Sequence, residues 1–126
     1  MKKSVKITAL AAVSAMMLSS TVFAGDAFMI GTIGPLTGAG AAYGNAVKNG
    51  AQIAADEINE AGGVNGAMIE FKAEDDQLDP EQAVLAYNSL KDWGMQMLLG
   101  TVTSGSCMAV STEAAPDVDN IFLLTP

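Results

Sequence analysis

Two runs of small residues carry most of the groups in this sequence that could meet a ligand. Gly34 to Tyr43 (GPLTGAGAAY) combines Gly34, Gly38 and Gly40 with the ring and hydroxyl of Tyr43. Glycine permits close backbone approach, and a tyrosine offers an apolar face with a polar tip. Gly100 to Cys107 (GTVTSGSC) puts Ser104, Gly105 and Ser106 where a helix is expected to begin. The unpaired N–H groups and positive dipole end of a helix start favour an anion. Two such ends facing one cleft would suit a carboxylate. Plain turns meet the same spacing, with Ser104 or Ser106 merely capping the helix. Neither run is a nucleotide loop, since the first lacks G-x-G-x-x-G and neither ends in Gly-Lys-Ser/Thr.

Other chemistries fall away on composition. The 126 residues include no His and one Cys, so a Ser-His-Asp or Cys-His set, an imidazole metal site and an internal disulfide cannot be built within the chain. Cys107 sits where a helix dipole could act on a thiol, yet no base lies near it in sequence, which suits a small packed residue better than a nucleophile. Glu74, Asp75, Asp76, Asp79 and Glu81 lack the alternating ligands and central Gly of a calcium loop. A solvated strand end followed by a helix cap accounts for them, and no metal or other cofactor is expected. A formal charge of −8 opposes binding to a phosphate backbone, so nucleic acid is not an expected partner.

The elements that would position the two runs can be read from hydrophobic spacing. Ala27 to Ile33 is almost wholly apolar and reads as a buried strand. Tyr43, Val47, Ala51, Ala54, Ile58 and Ala61 recur at helical spacing and predict an amphipathic helix, stopped by Gly62-Gly63. Residues 67–76 alternate, with Ile69, Phe71 and Ala73 on one face, as expected of an edge strand. Asp79-Pro80-Glu81-Gln82 is a helix start, with Asp79 as cap and Pro80 at the first position. That second helix ends near Gly94. Met95–Leu99 predicts a third strand, Cys107–Ala115 a third helix and Ile121–Leu124 a fourth strand. The order β-α-β-α-β-α-β calls for an α/β fold, a parallel sheet with helices on both faces. The edge pattern of strand 2 gives the strand order 2-1-3-4, with strands 1, 3 and 4 covered on both faces. Ligands of such sheets bind beyond the strands' carboxyl ends where the order reverses, here between strands 1 and 3, onto which both small-residue runs converge.

Residues 1–24 have a basic start (Lys2, Lys3, Lys6), an apolar centre from Ile7 to Leu18 and a Val22-Phe23-Ala24 ending. That is the layout of a cleaved secretory signal, and the apolar run is shorter than the ~20 residues of a membrane-spanning helix. Cleavage after Ala24 leaves Lys48, Lys72 and Lys91 against 14 acidic residues, a net charge of −11. The expected product is exported to the periplasm, soluble and not inserted in the membrane.

Five stretches, taken in order, resemble the branched-chain amino-acid type of periplasmic substrate-binding protein, the soluble component of an ABC uptake system. They are IGTIGPLTGAGAAYG from Ile30, NGAQIAADEINEAGGVNG from Asn49, EDDQLDPEQAV from Glu74, GTVTSGSCMAVS from Gly100 and IFLLTP from Ile121. The resemblance implies two lobes of the type I periplasmic binding fold closing on a small ligand. Residues 25–126 would be the amino-terminal part of lobe 1, with the second lobe absent. Tyr43 matches the aromatic that walls the cleft and Ser104 the serine that holds the ligand carboxylate, with N–H groups at Gly105, Ser106 and Cys107 as helpers. Some members join two loops by a disulfide at positions that look to be Leu78 and Thr103 here, so that bridge is missing. The implied function is capture of an amino acid or small amide for an ABC membrane permease, without enzymatic turnover. A receptor's extracellular sensing domain and a small flavodoxin-like enzyme using Cys107 are the alternatives.

Overall fold

A computed structural model describes residues 27–126, so the expected secretory signal at residues 1–24 lies outside the described residues. The elements are β1 (Phe28–Gly34), a 3-10 turn (Gly38–Gly40), α1 (Ala41–Glu60), β2 (Ile69–Asp75), α2 (Pro80–Trp93), β3 (Met97–Thr101), α3 (Ser104–Glu113) and β4 (Phe122–Leu124). All strand pairs are parallel and the sheet order is β2-β1-β3-β4, as the edge pattern of β2 predicts. The chain steps from β1 outward to β2, then back past β1 to β3. Right-handed crossovers in opposite directions put α1 on one face of the sheet and α2 and α3 on the other.

The core lies on the α2–α3 side, where Ile33 and Leu98 meet Ala83, Tyr87, Leu90 and Val110. Gly31 is glycine because this packing is tight. A Cβ there would stand 2.5 Å from Met95 Sδ and 2.8 Å from a Leu90 methyl. The ends of α2 are set by local chemistry. Asp79 Oδ1 accepts the Glu81 N–H at 2.8 Å, Pro80 opens the helix, and Gly94 closes it in the left-handed region at φ 101°, as helix C-termini favour.

On the opposite face α1 docks closely. The Asn59 side chain donates to Ile69 O at 2.9 Å and accepts from Ile69 N at 2.7 Å, tying the end of the helix to the first residue of β2. Gly44 rests on the β1–α1 loop, so a Cβ there would lie 2.0 Å from the Pro35 carbonyl oxygen.

Four details differ from the sequence reading. Strand β3 runs two residues later than expected, at Met97–Thr101 rather than Met95–Leu99. The buried face of α1 runs through Gly44 and Ala55 rather than along the Tyr43–Val47–Ala54 stripe, because the Gly44 contact fixes the rotation of the helix. Helix α3 begins at Ser104, three residues before the expected start, since nothing in Ser104-Gly105-Ser106 opposes helical geometry. Strand β4 is covered on one face only. Leu123 packs against the core, whereas Phe122 and Leu124 are 64% and 49% exposed among the described residues.

Candidate ligand-binding site

The carboxyl ends of β1, β3 and β4 emerge at one edge of the sheet, and the two small-residue runs extend from it. The first run is held rigidly. Asp75, the last residue of β2, accepts the Leu36 N–H at 2.8 Å, the Thr37 hydroxyl at 2.5 Å and the Gln77 N–H at 3.0 Å. Partial burial of the Asp75 carboxyl raises its pKa, but these hydrogen bonds to the charged form outweigh it, so the group titrates below its ordinary value. Asn45 donates to Leu36 O at 2.9 Å and Ala41 O at 2.8 Å, fastening the same loop to the first turn of α1.

The second run forms the wall of a cavity of about 230 Å³. Thr101, Val102 and Thr103 come from the end of β3, Ser104, Cys107 and Met108 from α3, and Thr125 and Pro126 from beyond β4. Gly100 makes the join possible. It sits at φ 69°, and a Cβ would lie 2.8 Å from Pro126 Cδ, so a side chain at 100 would push the post-β4 segment away.

The start of α3 borders this cavity through Thr103 and Ser104. Its N-cap residue, Thr103, makes no side-chain bond to the helix backbone; its hydroxyl donates instead to Ser106 Oγ at 3.1 Å. Among the described residues no partner is found for the N–H groups of Ser104, Gly105 and Ser106. Contrast α2, whose start is capped by Asp79. Uncapped N–H groups and the helix dipole make a seat for an anion, and the exposed Ser104 hydroxyl stands beside it. Thr101 also lines the cavity, and its buried Oγ1 has no hydrogen-bond partner among the described residues.

The five residues singled out from sequence are therefore not equivalent. Ser104 and Cys107 line the cavity. Cys107 does so with its side chain, because its N–H is bound to Thr103 O at 2.9 Å. Gly105 and Ser106 make the first turn of α3 without lining the cavity, and Ser106 is fully buried. Tyr43 projects from the first turn of α1, 73% exposed and outside the cavity. Met108, Thr125 and Pro126 were not singled out. The signal for Met108 was its place one turn after Ser104, and for Thr125-Pro126 its position just past a strand's carboxyl end.

The acidic residues divide similarly. Asp75 clamps a loop, Asp79 caps α2, and Glu74 pairs with Lys72 at 2.9 Å. Asp76 is fully buried, with Oδ1 accepting the Leu78 N–H at 3.0 Å and Oδ2 unpartnered among the described residues. Among the described residues no three His, Cys, Asp or Glu gather as a metal site would need.

Comparison with known proteins gives a consistent set of similarities. The sequence profile described as periplasmic binding protein matches residues 28–125. The Leu/Ile/Val-binding protein BraC3 of Rhizobium johnstonii is 44% identical over 97 residues, 77% of this chain and 26% of that protein. A leucine-, isoleucine-, valine-, threonine- and alanine-binding protein of Pseudomonas aeruginosa is 38% identical over 111 residues, 86% of this chain and 28% of that one. Among solved structures, the branched-chain amino acid transporter substrate binding protein LivJ from Streptococcus pneumoniae, in complex with isoleucine, superposes with a TM-score of 0.73 at 32% identity, covering 80% of this chain and 29% of that chain. The chain spans about a quarter of the length of the curated relatives it matches.

Proposed function

The chain belongs to the periplasmic binding protein family, and from that premise we propose that it serves the solute-binding component of an ABC uptake system. Its ligand is a branched-chain or related amino acid or a small amide, delivered to a membrane permease from the periplasm. The observation that carries this reading is the uncapped start of α3, beside the Ser104 hydroxyl that lines a cavity at the carboxyl ends of β3 and β4. The ligand carboxylate takes the free N–H groups and the Ser104 hydroxyl, and Tyr43 contributes from the α1 side. The names of the matched relatives, which bind leucine, isoleucine and valine, support the ligand class. These relatives are binding proteins, and no turnover is assigned to this one.

Calorimetric titration of the protein purified from its source tests the reading. L-isoleucine should bind, its methyl ester at least about tenfold more weakly, and Ser104→Ala should cost the acid a similar factor, the size expected for hydrogen bonds to a charged group. An ester that binds as well as the acid would overturn the assignment of the carboxylate to α3. The 126-residue chain alone should bind weakly, since a cavity of about 230 Å³ falls short of the ~300–1,000 Å³ of complete small-molecule sites. A micromolar endpoint in a leucine titration of that chain would contradict this.

A further inference from the structure

The dipeptide Asn-Gly occurs twice, at Asn49-Gly50 and at Asn65-Gly66, and neither pair enters the binding reading. Asparagine followed by glycine is chemically labile. With no Cβ on the second residue, its backbone nitrogen approaches the asparagine side-chain carbonyl carbon unhindered. All four residues are exposed, and a Cβ at either glycine would meet nothing within 4 Å. Solvent access therefore does not separate the two pairs, whereas their backbones do. Gly50 lies in the middle of α1, where the ladder of helix hydrogen bonds occupies its N–H and holds Asn49 in helical geometry. Asn65 and Gly66 are the two central residues of a tight turn between α1 and β2, and their φ values of 52° and 87° are those of a type I′ hairpin. One isolated bridge closes that turn, from Val64 N–H to Ala67 O at 2.8 Å and from Ala67 N–H to Val64 O at 3.0 Å. No partner is found for the Gly66 N–H among the described residues. So small a hairpin has little stability of its own and opens without unfolding of the sheet.

We propose that Asn65 is a site of spontaneous covalent modification, converted with water to aspartate and isoaspartate, and that α1 protects Asn49 from the same reaction. The Gly66 nitrogen attacks Asn65 Cγ. A C–N bond forms, the bond from Cγ to the side-chain nitrogen breaks, and ammonia departs with the proton that the Gly66 nitrogen gave up. Water then opens the resulting cyclic imide at either carbonyl. Opening at the side-chain carbonyl restores the ordinary backbone and leaves an aspartate, whereas opening at the main-chain carbonyl routes the backbone through the side chain and leaves an isoaspartate. Water is the only co-reactant, and nothing is oxidised or reduced. Either product adds a negative charge between α1 and β2, at the end of the sheet opposite the ligand-facing edge. Isoaspartate also lengthens the backbone by one carbon. The turn has no slack for it, since a Cβ at Gly63 would already lie 2.2 Å from the Ala67 carbonyl oxygen, so the Val64–Ala67 bridge is lost in that product and kept in the other.

The test incubates the protein purified from its source, folded and guanidinium-unfolded, at mildly alkaline pH. Conversion of amide to carboxylate at both pairs is followed by peptide mass spectrometry, with Asn65→Asp as the reference for the aspartyl product. In the folded protein conversion at Asn65 should outpace that at Asn49 at least ~tenfold, because a mid-helix amide reacts only after local unfolding while the turn opens at small cost. Unfolding should bring the two rates together. Hydrogen exchange at the Ala67 N–H should quicken in the isoaspartyl fraction and stay as it was in the aspartyl one. Conversion at Asn49 that keeps pace with Asn65 in the folded protein, or no conversion at Asn65 while the unfolded chain converts at both pairs, overturns the assignment. A preference for Asn65 that survives unfolding overturns it as well, since neighbouring sequence and not the turn would then set the rate. Unchanged Ala67 exchange in the isoaspartyl fraction overturns the loss of the bridge.

Discussion

Asp75 shows how one side chain holds the ligand-facing edge together. Its carboxylate gathers two backbone N–H groups and the Thr37 hydroxyl, and its pKa lies below the ordinary value because those bonds outweigh the effect of burial. A carboxyl whose folded pKa is depressed stabilises the fold above its unfolded pKa of ~3.9. That contribution fades as pH falls through the unfolded value toward the lower folded one. Asp75→Asn should therefore cost about 1 kcal/mol at neutral pH and flatten the loss of stability on acidification. Urea unfolding at a series of pH values measures it, and parallel pH profiles for the two proteins would contradict the role. Not all of this residue-level chemistry was readable beforehand. Ser104 and Cys107 were visible because a Ser-Gly-Ser run after an apolar strand marks a helix start. Asp75 was legible only as one of five acidic residues, since a loop clamp depends on which backbone N–H groups the fold brings to it. Thr101 reads from sequence as part of the small-residue run after the third strand, and only the three-dimensional packing places it at the end of β3 with its hydroxyl unpartnered among the described residues.

Helix α1 shows what spacing conveys about an element and what it does not. The apolar repeat from Tyr43 to Ala61 gave the helix, yet the face against the sheet is rotated toward Gly44 and Ala55. Periodicity weighs side-chain hydrophobicity, and a glycine that permits backbone contact carries no weight in it. The two glycines of this helix should respond in opposite ways to one extra methyl. Gly44→Ala would drive a Cβ into the Pro35 carbonyl and should destabilise by about 2–4 kcal/mol, the range of a forced overpacking or backbone shift. Gly50→Ala meets nothing within 4 Å and should stabilise by about 0.5–1 kcal/mol through helix propensity. Chemical denaturation of the pair checks both signs, and similar effects at the two sites would contradict the docking of α1 on Pro35. Strand β4 misled in the reverse sense. Four consecutive apolar residues predicted cover on both sides, but among the described residues the face bearing Phe122 and Leu124 has none. A pattern records what a strand is suited to pack against, whichever part of the polypeptide supplies it.

For the whole molecule the legible part was the topology. A half-polar β2 beside three continuous apolar strands was enough to order the sheet 2-1-3-4. That order puts the switch point between β1 and β3, whereas the cavity opens beside the carboxyl ends of β3 and β4 and is lined from neither β1 nor α1. The size and lining of the cavity were not legible, because they depend on Gly100 admitting Pro126. The proposal that residues 1–24 are a cleaved signal makes its own prediction at this scale. Amino-terminal sequencing of the protein recovered from the periplasmic fraction should begin at Gly25, and an intact Met1 there would contradict export by cleavage. The strand order also has a kinetic consequence. Central strand β1 is the first element in sequence, and one of its partners lies far down the chain, as the 2.6 Å bond from the Thr32 hydroxyl to Leu99 O spans 67 residues. Contacts of such separation form late, after the closure entropy of the long intervening loop has been overcome. A polypeptide emerging amino terminus first thus cannot complete its sheet until β3 has followed.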